Sequence, residues 1–370
     1  MKTAFGLVLV AAVALAAGPA AHAQNGAPAD PRATAKTRRL FSSLQRVRGT
    51  GTLFGHQDDL AYGVGWKYEP GRSDVKSVTG SYPAVYGWEL GHLELDSAKN
   101  LDGVPFRNIR AYVKETYKRG GVNTISWHLT NPTNGKTAWD TTRYSVRAVL
   151  PGGASHAQYT QYLDRLARYL RSLHGGLFQR VPVVFRPLHE LTGSWFWWGR
   201  NECSPEEFKA LWRFTVDYLR QEKNVHNLLI AYSTSDFATK EAFLERYPGD
   251  GYVDVLGFDA YASANNPTFP QTLDRQLTQL QEMATAHGKI PALTEVGFER
   301  IPDPTWWTKT LLPVLASHNM AYVLLWRNGR PDHYYVPYPG QASAEDFKAF
   351  YNNDKVIFQN KATPLGIYRK

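Results

Sequence analysis

Eight short apolar runs recur along the 370-residue chain, and they limit its fold more than any other feature. They cover residues 52–56, 84–89, 122–128, 181–186, 227–232, 253–259, 291–295 and 322–327. Continuous runs without alternation suit strands that are covered on both faces. Their starts lie roughly 25 to 60 residues apart, room each time for a crossover helix. Helical stretches fill the gaps. Phe106–Arg119 carries Ile109, Tyr112, Val113 and Tyr117 at helical spacing, and 158–173 carries Tyr159, Tyr162, Leu163, Leu166, Tyr169 and Leu170 on one stripe. Ser204, Pro205, Glu206 and Glu207 open a helix that runs to about Gln221. Another spans 272–287 and stops at Gly288, and two more cover 306–319 and 345–351. Eight strand–helix units predict an α/β fold, a single-domain (β/α)8 TIM barrel. No GxGxxG, P-loop or internal repeat points elsewhere.

The ends of the chain read differently. Lys2, the apolar run 5–17 and the small-residue site Ala21-His22-Ala23 make residues 1–23 an export signal. That run is too short to span a bilayer. Residues 24–36 are rich in Ala and Pro and read as a flexible leader, leaving 37–370 for the barrel. The expected location is secreted or periplasmic, without membrane attachment. Cys203 is the only cysteine, so no intramolecular disulfide or Cys-based metal site is available. The net charge of +9 is spread along the chain without a Lys/Arg block, which argues for solubility and against a nucleic-acid partner. A monomer is expected.

In a barrel the strand C-termini build the site. Here they carry His56, Asp58 and Asp59; Trp88, Glu89 and His92; Trp127 and His128; Arg186, His189 and Glu190; Tyr232; Asp259 and Tyr261; Glu295; and Trp326, Arg327 and Asn328. The long segment 129–157, rich in Asn, Thr, Gly and Pro, forms a loop on the same face. The densest stretch is 183–200, VVFRPLHELTGSWFWWGR. A buried strand ends in Arg186, His189 and Glu190, and Trp195, Phe196, Trp197 and Trp198 follow. These rings cannot all face inward from one element, so at least one is exposed or lines a cleft.

Glu190 and Glu295 follow strands four and seven, across the barrel mouth from each other. Two carboxyl groups facing over an aromatic cleft are the apparatus of glycoside hydrolysis. One must stay protonated: burial among Trp195, Trp197 and Trp198 would raise the pKa of Glu190. The other must attack as a carboxylate: hydrogen bonds from Tyr261, and from His189 or Arg186, would hold Glu295. A strand-end salt bridge is the plain alternative for Glu295 taken alone. His56, Asp58 and Asp59 read as loop hydrogen bonding or a glycone-side contact. His189-Glu190 is not HExxH, since Gly193 stands where the second His would be, so no metal or cofactor is expected. Asp254 reads as structural and Trp306-Trp307 as packing. Trp139 could be a sugar platform or a loop anchor.

The segment FRPLHELTGSWFWWG resembles the signature of the glycoside hydrolase family 26 mannanases, retaining enzymes of the (β/α)8 clan. FGHQDDLAYG, GWELGH, ISWHLTNP, FDAY, LTEVG and LWRN fall where that family has its strand ends, so the likeness covers about residues 40 to 335. The resemblance implies that Glu190 is the acid/base and Glu295 the nucleophile. It implies that His189 binds near the −1 sugar, Tyr261 hydrogen-bonds the nucleophile, Trp195 lines the scissile bond and Trp326 stacks under the −1 sugar. His128 and Arg327 would contact glycone-side hydroxyls. Glu89 departs from the pattern, in which an Asp is expected. The implied substrates are β-mannan polysaccharides and manno-oligosaccharides, cut at β-1,4 bonds by endo or mannobiose-releasing action. The same fold acting on β-1,3/1,4-glucan or β-1,3-xylan, and an inactive sugar-binding barrel, are the alternatives.

Overall fold

The computed structural model describes residues 26–176 and 179–369. The export signal expected over 1–23 lies outside the described residues. Eight parallel strands form the centre: β1 (Thr52–Gln57), β2 (Val85–Glu89), β3 (Val122–Ser126), β4 (Val183–Arg186), β5 (Leu228–Thr234), β6 (Val255–Ala262), β7 (Ile290–Phe298) and β8 (Tyr322–Leu325). Each pairs with the next, and β8 returns to β1 through Leu53↔Tyr322 to His56↔Leu325. The eight apolar runs thus become a closed barrel. The principal helices follow the periodic stretches: Phe106–Arg119, His156–Arg171, Pro205–Asp217, Phe269–Ala286 and Ala344–Asn352. Ser204 and Glu207 form a reciprocal capping box at the third of these.

The flexible leader expected over 24–36 does not hold from Ala29 onward. Ala29 N–H donates to Asp254 Oδ1 at 2.6 Å, 225 positions away, and Asp30 meets His226 Nδ1 at 2.7 Å. Thr34 caps the helix Ala35–Val47 by accepting from Thr37 N–H. The reason is tertiary. An Ala/Pro-rich segment carries little apolar signal of its own, and its anchors are remote in sequence. Asp254 is structural as expected: its other oxygen accepts from Ile230 N–H.

Side chains alternate across each strand. Outward residues such as Phe54, Tyr86, Phe185, Ile230 and Phe258 join the core beneath the helices. Inward residues at the strand starts, including Leu53, Val85, Val122, Val184, Leu229 and Val255, form a second apolar cluster. Two or four positions further along the same inward rows the character changes. Glu89, Ser126, Arg186, Ser233, Asp259 and Thr294 stand there, all buried. The barrel interior is therefore an apolar plug capped by a buried polar layer at its C-terminal mouth.

One irregularity matters to that layer. The β6–β7 register slips: Leu293 pairs with Phe258 but Glu295 pairs with Asp259, leaving Thr294 as the extra residue. Thr294 Oγ1 donates to Phe258 O and Asp259 Oδ1, and Glu295, its neighbour, meets Arg186. Two adjacent side chains thus face the barrel mouth, which a regular strand forbids and a bulge permits. Gly257 lies opposite, where a Cβ would collide with the Thr294 side chain. Gly257→Ala should therefore displace Thr294 and lower stability by about 1–3 kcal/mol. Urea unfolding checks this: the midpoint should fall with the slope unchanged.

Candidate active site

Arg186, the last residue of β4, is the hub of the mouth. Its guanidinium is buried and contacts two carboxylates. Nη1 reaches Asp259 Oδ2 at 2.7 Å, and Nη2 donates to Glu295 Oε1. Asp259 also accepts from Ser233 Oγ and Thr294 Oγ1 through Oδ1. Glu295 receives a second bond on Oε2 from Tyr261 O–H at 2.5 Å. Both its oxygens are thus held by donors, the setting that suits an ionised carboxylate. The expected donors Tyr261 and Arg186 are present; His189 is not one of them.

Glu190 sits on the turn that leaves β4. Its φ is +52° and that of Leu188 is +47°, a left-handed conformation that costs of order 1–3 kcal/mol per residue. Two backbone bonds hold the turn, from Glu190 N–H to Ser233 O and from Gly193 N–H to Glu190 O. Trp195 Nε1–H donates to Glu190 Oε2 at 2.6 Å, and the Trp195 ring is 42% exposed. Trp197 and Trp198 do not line Glu190 as expected. Both are fully buried and donate to Leu129 O and His189 O. The alternation that separates cleft from core thus falls inside the aromatic run. Burial, and then the charge of Glu295, push the Glu190 carboxyl up to about 7. One oxygen each of Glu190, Asp259 and Glu295 lie within 4.8 Å of one another. Arg186 already supplies positive charge between two of them, so a cation there would meet a guanidinium.

The other expected residues assemble around this pair. His128 follows β3 and stands edge-on to His189, ring centres 4.4 Å apart. Trp326, after β8, lies 6.5 Å from the His128 ring and is half-buried. Trp139 resolves as a ring at the mouth: it stacks on His128 at 5.1 Å and is 50% exposed. Arg327 stands apart from the carboxylate pair and contacts Asp102 Oδ1 at 3.1 Å. Asp102 had no sequence signal, because it lies in a loop rather than at a strand end. Glu89 is wholly inside the protein, under His128. Asp58 and Asp59 are loop-bound as expected: Tyr62 O–H donates to Asp58, and Ser73 and His56 contact Asp59. Trp306 and Trp307 are buried packing.

The elevated Glu190 carboxyl has a consequence for stability. Its folded pKa, about 7, exceeds the ordinary 4.5. The proton-bound form is thus favoured by folding, and this contribution is full below the unfolded value and lost as pH rises through about 7. Glu190→Gln removes the titration. The variant should gain stability relative to the parent between pH 4.5 and 7, by up to about 3 kcal/mol at pH 8. Thermal unfolding at pH 4, 5.5 and 8 checks it; a constant difference would contradict the assignment.

The chain is similar to proteins of known family. A mannan endo-1,4-β-mannosidase of Bifidobacterium adolescentis is 34% identical over 97% of this chain, and the chain spans 38% of that longer protein. One from Bacillus subtilis is 30% identical over 77% of this chain and 83% of its own length. A solved family 26 β-mannanase from Bacteroides ovatus superposes with a TM-score of 0.86 at 48% identity, covering 88% of this chain and 96% of that one. The family model of glycosyl hydrolase family 26 matches residues 29–309, a span that holds Arg186, Glu190, Asp259 and Glu295. The chain belongs to glycosyl hydrolase family 26.

Proposed function

We propose that this chain is a retaining endo-β-1,4-mannanase, exported from the cell, that acts on mannan, glucomannan or galactomannan. The single observation that carries the mechanism is the Glu190–Glu295 pair. Their oxygens come within 4.8 Å, which suits the short carboxyl separation of retaining enzymes better than the wider gap of inverting ones. Their environments differ as the two roles require. Glu190 is pushed up to about 7 and keeps a proton near neutrality. Glu295 is gripped by Arg186 and Tyr261. The mannan assignment is supported by relatives named for that substrate.

In the first step Glu190 gives its proton to the glycosidic oxygen as the C–O bond breaks. Glu295 forms a bond to the anomeric carbon, and the reducing-end fragment leaves. Trp195 already donates to Glu190 Oε2, so the other oxygen faces the leaving group. Glu295 loses its charge on glycosylation, while Arg186 keeps Asp259 as a partner. In the second step Glu190, now a carboxylate, takes a proton from water. The water oxygen attacks the anomeric carbon and frees Glu295. The sugar regains its β configuration. Trp326 forms the stacking floor of the −1 site, with His128 and His189 beside it and Arg327 on the glycone side.

The test is product analysis. Mannohexaose and galactomannan should be cut, with barley glucan and β-1,3-xylan turned over far more slowly; comparable turnover of either control would remove the mannan assignment. An NMR time course should show the β anomer first. Glu190→Ala should slow galactomannan hydrolysis by roughly 10²- to 10⁴-fold. It should still attack an aryl mannobioside with a good leaving group, and azide should restore turnover with a β-azide product. Glu295→Ala should show no burst with any leaving group. An initial α product would mean inversion and remove both role assignments.

A further inference from the structure

The layer beneath the reacting pair contains a hydrogen-bonded relay whose proton arrangement the mechanism above does not specify. Glu89, at the end of β2, is buried. Its Oε1 accepts from the N–H groups of His128 and Gly91. Its Oε2 accepts from Ser126 Oγ at 2.7 Å and from His128 Nδ1 at 2.8 Å. All four acceptor positions of the carboxylate are taken. His128 Nδ1 must therefore carry a proton. The far side of the ring faces another imidazole: His128 Nε2 and His189 Nε2 are 3.1 Å apart. Only one of these two nitrogens can hold the bridging hydrogen.

Two proton arrangements satisfy this geometry. In one, both rings are neutral and His189 donates to His128. In the other, His128 is an imidazolium, protonated at both nitrogens, and donates to His189. The second places the proton of neutral His189 on Nδ1, a buried atom without a partner among the described residues. The surroundings choose between them. His128 is faced by Glu89 from β2, Asp102 from the following loop, Glu190 beyond β4 and Glu295 on β7. The cation of this layer, Arg186, lies toward His189. Trp139 stacks on one face of the His128 ring, and Phe196 meets the ring at a steep angle.

We propose that Glu89 is a positioning residue whose carboxylate keeps His128 as an imidazolium, so that His128 fixes the tautomer of His189 and supplies fixed positive charge beside Glu190 and Glu295. The arrangement is consistent across its members. Burial opposes charge on both partners, yet the pairing brings Glu89 down to about 2 and raises His128. Burial and Arg186 keep His189 neutral by lowering it well below the usual histidine range. The catalytic consequence rests on the mannanase reading; the proton arrangement does not.

Nitrogen-15 NMR of the imidazole rings reads that arrangement without substrate. In the parent protein His128 should be doubly protonated at pH 6 to 7, and His189 neutral with its hydrogen on Nδ1. A neutral His128 at pH 6 overturns the proposal, whether or not mannan is cleaved. In Glu89→Gln the His128 ring should titrate within pH 5 to 8. Its kcat/KM on mannohexaose should fall at pH 7 by roughly 10- to 100-fold, the range found when an outer partner of a ligating histidine is lost. The loss should lie mainly in kcat and shrink at pH 5, where the ring recovers its charge. Glu89→Asp keeps the charge and should recover part of the rate at pH 7. An equal loss at both pH values would indicate mere structural damage and overturn the role. Should Glu89→Gln fail to fold, the spectrum of the parent protein decides alone.

Discussion

The contact on which the mouth of this barrel depends is the buried guanidinium of Arg186 between Asp259 and Glu295. A charge removed from water is costly unless it is paired and hydrogen-bonded. Arg186 satisfies that condition with carboxylates from two other strands, β6 and β7. Its position thereby fixes theirs. The hydroxyls of Ser233 and Thr294 complete Asp259, so that β4, β5, β6 and β7 meet in one polar cluster. The cluster lies on top of an apolar plug, which leaves water little access from below.

Two local departures from regular geometry serve this cluster. The slip at Thr294 turns Glu295 into the mouth beside a residue that already points there. The left-handed backbone at Leu188 and Glu190 lifts Glu190 off the end of β4 and toward Glu295. Neither is a preferred state of a free chain. Both are held by hydrogen bonds to the neighbouring strand, through Phe258 O, Asp259 and Ser233 O. The surrounding barrel therefore carries the strain that the site requires.

The same cluster divides the electrostatic labour. Glu295 faces donors on both oxygens. Glu190 is half-buried against it, faces its charge, and has one indole N–H as its side-chain donor among the described residues. The two carboxyl groups thus meet different surroundings, although their chemistry is the same. His128 and Glu89 add a further charged pair at the edge of this layer.

Much of this was legible in the sequence. Eight continuous apolar runs with helical stretches between them determine a parallel closed sheet, since such strands must be covered on both faces. The barrel rule then singles out strand ends, and the structure brings Glu190, Glu295, His128, His189, Tyr261 and Trp326 together at one mouth, with Arg327 beside Asp102. Only the tertiary structure decided the rest. Which of Trp195, Trp197 and Trp198 faces the cleft depends on a turn with no regular period. Asp102 reaches Arg327 from a loop, and Asp30 reaches His226 across 196 positions, so no local pattern announces either. That Thr294 and Glu295 both turn inward follows from pairing register, a property of two strands together. The protonation of Glu190 and the partners of Glu89 follow from burial and distance. Periodicity along one chain records which faces are covered; it does not record what stands opposite.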